Sequence, residues 1–216
     1  MNWNILATGS NGNCALLENS LALDMGCTIK QVSPFLYDIQ LVFVGHYHTD
    51  HLRGSTVRYL ADCRPSIRWC GGAWMYEKFI HAGIPPSQID ILQEGYWYEY
   101  GPYDISPVPL YHDVPNYGLR VRNKRGERAL YAVDTNRLDH VAARDYDLYL
   151  IEGNYGEAEM EERIRIKRAL GEYAYEISAM ERHLSIEAAN RWLKNNAGPN
   201  SKWQLLHGHV EEELPF

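Results

Sequence analysis

Short apolar runs separated by turn residues dominate the first quarter of the chain. Met1 to Leu6, Cys14 to Leu17 and Leu21 to Leu23 read as strands, broken by Gly9-Ser10-Asn11-Gly12-Asn13 and by Glu18-Asn19-Ser20, which predicts a β meander. Leu41-Val42-Phe43-Val44 is a continuous apolar run of buried-strand length, and it ends at Gly45 where a histidine-rich segment begins. Amphipathic stretches at Ser55 to Ala61 and Ala73 to His81 predict helices, with a short strand, Ile67 to Trp69, between them. From Ile89 to Val121 the chain is rich in Tyr, Val, Ile and Pro with turns at Gly95, Gly101 and Pro115, which predicts a second set of strands. Ala129 to Val133 and Leu148 to Ile151 add two more, each ending at or near a carboxylate. The period then lengthens: Glu157 to Leu170 and Ile186 to Asn196 predict helices before a last strand, Trp203 to Leu206. Strands followed by helices, twice over, predict a layered α/β (α+β) fold, a sheet sandwich with helices outside.

Composition changes this picture little. The 216 residues, 45% of them hydrophobic, suffice for one sizeable core, and no linker, low-complexity tract or repeat divides them, so a single domain over 1–216 is expected. No apolar run approaches the roughly 20 residues of a membrane span. Met1 to Leu6 lacks the positive charge of a signal peptide. The expectation is a soluble, cytoplasmic protein with no membrane partner. The four cysteines form no CxxC pair and are expected as reduced thiols. Charge is more restrictive: 28 acidic against 21 basic residues give −7, a field that repels phosphate polymers, so any nucleic-acid role must rest on a local site.

Nine histidines supply the candidate chemistry. His46-Tyr47-His48-Thr49-Asp50-His51 directly follows the run Leu41 to Val44. In extended backbone His46 and His48 face the same way, and a turn immediately afterwards can bring Asp50 and His51 round from the other side, which is a chelating geometry. Further ligands are expected at the ends of later strand-like runs: His112 after Ile105 to Tyr111, Asp134 after Leu130 to Val133, and His207 after Trp203 to Leu206, with His209 an alternative two residues on. Seven nitrogen and oxygen donors without a thiolate suit two divalent metal ions, zinc, manganese or iron.

In this order along the chain, these residues resemble the motifs of the metallo-β-lactamase fold superfamily. The resemblance implies a four-layer αβ/βα sandwich with the site where strand ends meet. It implies one metal held by His46, His48 and His112, another by Asp50, His51 and His207, and Asp134 bridging them. Asp24 matches the first acidic motif and would order the histidine loop, although locally it also reads as a turn aspartate before Gly26. Finer likenesses point to the small single-domain bacterial exonuclease branch. Gly9-Ser10-Asn11-Gly12-Asn13-Cys14 resembles its GSSGNC opening, Tyr111-His112-Asp113 its SHD, Ile151-Glu152-Gly153-Asn154-Tyr155 its LESNH, and His183-Leu184-Ser185-Ile186-Glu187-Ala188-Ala189 its HLSNEDAA. The last segment also resembles the histidine motif of tRNase Z. By that resemblance His183 and Asp50 are catalytic, His183 protonating or stabilising the leaving group with Glu152 as orienting partner. Read locally, His183 is a cap-region histidine ahead of a helix beginning at Ser185, and Glu152 a carboxylate satisfying loop amides. Tyr155 stands where the branch has histidine, and Arg182 where a glycine usually precedes the HLS segment.

Two divalent ions, less Asp50, Asp134 and a bridging hydroxide, leave a centre of about +1, which attracts an anionic phosphodiester despite the acidic surface. The expected function is a binuclear metal-dependent hydrolase, a phosphodiesterase or nuclease of DNA-exonuclease type acting on nucleic acid or another phosphodiester. The alternatives are a small-molecule metallohydrolase (cyclic phosphodiesterase, thioesterase or lactonase) and a non-catalytic metal- or nucleic-acid-binding module. A homodimer is compatible with the sequence. The basic cluster Arg163, Arg165, Lys167 and Arg168 reads either as a phosphate-facing edge or as a solvated helix face balanced by Glu157, Glu159, Glu161 and Glu162.

Overall fold

Alternation within short strands that are buried on both faces sets the architecture. In the computed structural model, which describes residues 1–208, twelve strands form two six-stranded sheets. The first runs β1 (Trp3–Ala7), β2 (Cys14–Leu17), β3 (Leu21–Leu23), β4 (Leu41–Phe43), β5 (Arg68–Gly71) and β6 (Ile89–Ile91) in chain order. The second contains β7 (Tyr98–Tyr100), β8 (Tyr103–Leu110), β9 (Asn116–Asn123), β10 (Arg128–Ala132), β11 (Leu148–Glu152) and β12 (Lys202–Leu206), again in chain order across the sheet. Each sheet begins with antiparallel pairs and ends with parallel ones, β3 to β6 in the first and β10 to β12 in the second.

Leu21, Leu23, Leu41 and Phe43 point between the sheets, where they meet Ile105, Leu119, Val121, Leu148 and Leu150. Their neighbours Ala22, Val42 and Val44 point the other way, onto Val32 of α1 (Ile29–Val32), Val57 and Leu60 of α2 (Gly54–Cys63), and Phe79 of α3 (Tyr76–His81). On the second sheet Leu130, Ala132, Tyr149 and Ile151 pack against Ala189 and Leu193 of α6 (Ile186–Asn196). Helix, sheet, sheet, helix is the four-layer sandwich expected from the sequence. Double-sided burial explains why the strands read as unbroken apolar runs.

Several boundaries differ from the sequence reading. β8 stops at Leu110 and β10 at Ala132, so His112 and Asp134 lie in loops two residues past the last strand residue. Pro107 and Pro109 sit beyond the stretch of β8 that pairs with β7, where a missing amide donor is tolerated on an edge. The short α1 and α5 (Glu176–Arg182) carry too few buried positions for a periodic signal, only Val32 in the first and Glu176 and Ala179 in the second. α4 (Glu157–Leu170) buries Met160 alone, and three of its four cations pair with nearby carboxylates: Arg163 with Glu159, Arg165 with Glu162, Lys167 with Glu176. This is the solvated helix face, not an unpaired phosphate-facing edge. The cysteines are free thiols, and among the described residues no helix is long and apolar enough to cross a membrane. His209 lies outside the described residues.

Candidate metal centre

The carboxyl ends of the parallel strands of both sheets meet along one edge, and the loops leaving them carry the predicted residues. After β3, Asp24 takes a left-handed backbone (φ +60°), as do Asp134 after β10 (φ +55°) and His207 after β12 (φ +60°). Three non-glycine residues in that region at one site mark a constellation imposed by its surroundings rather than by local preference. The histidine loop is held equally tightly. A Cβ on Gly26 would lie 1.6 Å from the Asp50 carbonyl, and one on Gly45 would lie 2.4 Å from the Tyr117 carbonyl, so only glycine lets these backbones approach.

Asp24 is the anchor of that loop. Its Oδ1 accepts the Gly45 N–H at 3.0 Å, and its Oδ2 accepts His51 Nδ1–H at 2.6 Å and the Tyr131 hydroxyl at 2.5 Å. With Nδ1 committed, the Nε2 of His51 faces the centre, 2.6 Å from Asp134 Oδ2 and 3.4 Å from Asp50 Oδ2. A carboxylate that fixes the far nitrogen of an imidazole is a recurrent way to orient a metal ligand. The sequence anticipated the ordering role of Asp24 but not that of Tyr131, which is masked as one more apolar strand residue.

Two donor sets emerge. His46 Nε2, His48 Nδ1 and His112 Nε2 converge, with His48 Nδ1 3.0 Å from His46 Nε2 and 3.4 Å from His112 Nε2. Nitrogens bound tetrahedrally to one zinc at its usual bond length stand about 3.3 Å apart, so this spacing fits an ion. Asp50, His51, Asp134 and His207 form the second set. Asp134 Oδ2 lies 3.3 Å from His46 Nε2 as well as 2.6 Å from His51 Nε2, so one carboxylate oxygen touches both sets. Asp134 Oδ1 and His207 Nε2 are buried without a hydrogen-bond partner. Buried polar atoms are seldom left so, and nitrogen and oxygen donors aimed at common points are what borderline divalent ions take. The residues present therefore fit metal ions.

A third grouping overlaps the second: Asp134, Glu152, His183 and His207. Glu152 is wholly buried. Its Oε2 accepts the Thr135 N–H at 2.7 Å, while its Oε1 accepts His183 Nδ1–H at 2.7 Å and stands 3.2 Å from His207 Nδ1. The local reading of Glu152 as amide acceptor and the resemblance's reading of it as partner of His183 are thus realised at once. Residues the sequence did not single out complete the frame. Asn13 Nδ2 lies 2.9 Å from His51 Nε2 and 3.2 Å from Asp50 Oδ2, and Asn154 Nδ2 donates to the His207 carbonyl at 2.7 Å. Both asparagines stand inside quoted motifs, which was the available signal.

Charge within the cluster is strongly coupled. Burial opposes a charge on His51, but Asp24 and Asp134 outweigh it and raise its pKa well above the ordinary imidazole range. Burial likewise opposes His183 and His207. Asp134 and Glu152 nevertheless push His183 up to about 9, and Asp50 and Glu152, with Asp134, push His207 up to about 10. His46 goes the other way, held down by burial and by the charge on His51. Asp134 resists its own burial and stays ionised because His51, His183 and His207 surround it.

His48, Asp50, His112, Asp134, His183 and His207 line a half-open cleft of about 160 Å³, together with Ser10, Asn154 and Arg182. That is below the roughly 300–1,000 Å³ of sites enclosing a whole small molecule, so the cleft admits a reacting group and leaves the rest of a substrate outside. Tyr155 is not among the lining residues, whereas Arg182 is.

The beta-lactamase superfamily domain model matches residues 28–203, a span that leaves out Asp24 and His207. Among curated proteins none matches in sequence. Among solved structures, the metallo-β-lactamase fold protein YhfI from Bacillus subtilis is 16% identical with a TM-score of 0.73, over 97% of this chain and 87% of that one. The short form of human tRNase Z is 16% identical with a TM-score of 0.71, over 96% and 92%. A diphosphatase of the PhnP family is 12% identical with a TM-score of 0.61, over 95% and 85%. At such identities the likeness is one of fold.

Proposed function

Because the chain belongs to the beta-lactamase superfamily, we propose that it is a metal-dependent phosphodiesterase, a nuclease working from an end of DNA. His46, His48 and His112 would hold one divalent ion, Asp50, His51 and His207 a second, and Asp134 would serve both. When bound, the ions, zinc or manganese, supply Lewis acidity and a water acidified toward neutrality.

The observation that carries the reading is the His183–Glu152 pair beside these donors. Glu152 accepts Nδ1–H at 2.7 Å, a carboxylate partner that favours the doubly protonated ring of His183. Its Nε2–H is then the proton available to the leaving oxygen of a diester, with Nδ1–H still held by Glu152 after transfer. A thioester gains less from such a donor, because its thiolate leaving group is weakly basic and departs without a proton. Asp50, held ionised by His207 and His51 against its burial, contributes negative charge where it retains an ion and accepts the Asn13 amide. The shallow cleft suits a reacting phosphate on a longer chain. The names of two fold relatives, a tRNase and a diphosphatase, both concern phosphorus–oxygen bonds.

The test is hydrolysis of an end-labelled linear single-stranded DNA and of its closed circle by protein loaded with manganese or zinc. Mononucleotide release from the linear strand with the circle intact is the expected result. Cleavage of the circle would contradict the end requirement, and no cleavage of either would contradict the nuclease reading.

A further inference from the structure

Arg182 is the side chain in the cleft that the proposed chemistry leaves without a task. It ends α5, immediately before His183, and among the described residues it is the one lysine or arginine lining the cleft that holds His48, His112 and His183. Its guanidinium is fixed on two sides. Nε donates to the Ser178 carbonyl at 3.1 Å, and Nη1 donates to Asp113 Oδ2 at 3.1 Å. The other oxygen of Asp113 lies 3.1 Å from His112 Nε2, one of the three converging nitrogens. A single carboxylate therefore separates the guanidinium from the first donor set.

The backbone reinforces this placement. The Arg182 carbonyl faces His112 Nδ1 at 3.5 Å, and the carbonyl of the preceding Glu181 accepts the Asn136 side-chain amide at 2.8 Å, tying the end of α5 to the loop after Asp134. Nη2, by contrast, makes no hydrogen bond among the described residues, and the side chain is 41% exposed. With Nε and Nη1 engaged, Nη2 is the free donor, and a fixed cationic N–H suits an anionic phosphoryl oxygen better than a carboxylic ester, which offers one neutral carbonyl.

We propose that Arg182 binds a non-bridging oxygen of the scissile phosphodiester and makes the site select anionic diesters over neutral esters of the same leaving group. The inference rests on the phosphodiesterase reading above. Asp113 is the positioning residue: it holds Nη1 and leaves Nη2 free on a residue that lines the cleft, and ordering the guanidinium in advance lowers the entropic cost of gripping the anion.

The experiment compares bis(p-nitrophenyl) phosphate with p-nitrophenyl acetate, which release the same phenolate, using the metal-loaded full chain and its Arg182→Gln and Arg182→Lys variants. The ratio of kcat/KM for diester over acetate should fall roughly 10- to 100-fold in Arg182→Gln, the scale of a lost charge-assisted hydrogen bond. Arg182→Lys should recover only part of it, because an ammonium cannot keep both the Ser178 and Asp113 contacts that fix the guanidinium while it reaches the anion. Inhibition by inorganic phosphate should weaken in the same order, while metal content per chain stays equal across the three proteins. An unchanged ratio with diester still cleaved overturns the role of Arg182 alone. A parallel loss on both esters with a lowered Tm makes Arg182 a structural end to α5 and overturns it too. Acetate turnover without diester turnover in the unsubstituted protein overturns this inference together with the phosphodiesterase reading.

Discussion

Asp24 has both carboxylate oxygens committed inside the protein, to Gly45, His51 and Tyr131, and has 1% of its surface exposed. Removing it leaves His51 free to turn and Tyr131 unsatisfied. Asp24→Ala should therefore weaken metal affinity roughly 10- to 100-fold, the usual effect of deleting a partner that orients a ligand, as read by competition with a chromophoric chelator. His183→Ala should behave oppositely. It should leave metal content intact and slow diester cleavage by about 10²–10⁴-fold, because a proton donor and not a ligand is lost; loss of metal would make His183 a ligand. The ion-free site also carries a pH signature. His207, pushed up to about 10, keeps its proton at neutral pH, and that proton must leave before the nitrogen can bind an ion. Since the folded pKa is raised, competition from the proton is full near pH 7 and fades as pH rises toward 10. Metal affinity should climb across that window with net proton release, measurable by calorimetry in buffers of different ionisation enthalpy; uptake with no proton released would contradict it.

At the scale of elements, the join between β11 and α6 determines where His183 stands. Ser185 caps α6, accepting the Ala188 N–H at 3.0 Å, and donates its hydroxyl to Glu157 at the start of α4. Ser185→Ala should cost about 1 kcal/mol in urea unfolding, and because His183 lies two residues upstream it should also slow turnover while sparing metal content. This helix start was plain in the sequence because a serine followed by a periodic apolar run is a local signal. The histidine loop was plain for the same reason, as six consecutive positions carry its pattern. α5 and the pairing of Asp113 with Arg182 were not, since seven residues with two buried positions give no period and contacts across some seventy residues leave no local trace. His112 and Asp134 fell at ends of apolar runs as expected, yet both lie past the strands proper. The loops, not the strands, turn these two side chains inward, through backbone such as the left-handed Asp134 that a hydropathy pattern does not encode.

The whole molecule is acidic, −7 over 216 residues, and three of the four α4 cations are already paired with glutamates. No general electrostatic attraction for nucleic acid follows from such a surface. Affinity for a non-hydrolysable oligonucleotide should therefore be weak, depend only shallowly on salt, and vanish when a chelator removes the ions, as fluorescence anisotropy would show. The two sheets, each wound from antiparallel to parallel in chain order, bring six strand ends or the loops beyond them to one edge, and the fold's contribution to function is that convergence. The central claim is that the donors gathered there hold two ions and hydrolyse a phosphodiester. Metal content and turnover of bis(p-nitrophenyl) phosphate in one sample test it most directly. Two ions per chain are expected, with turnover that chelation abolishes and manganese or zinc restores; a sample carrying two ions per chain that leaves the diester intact would overturn the assignment.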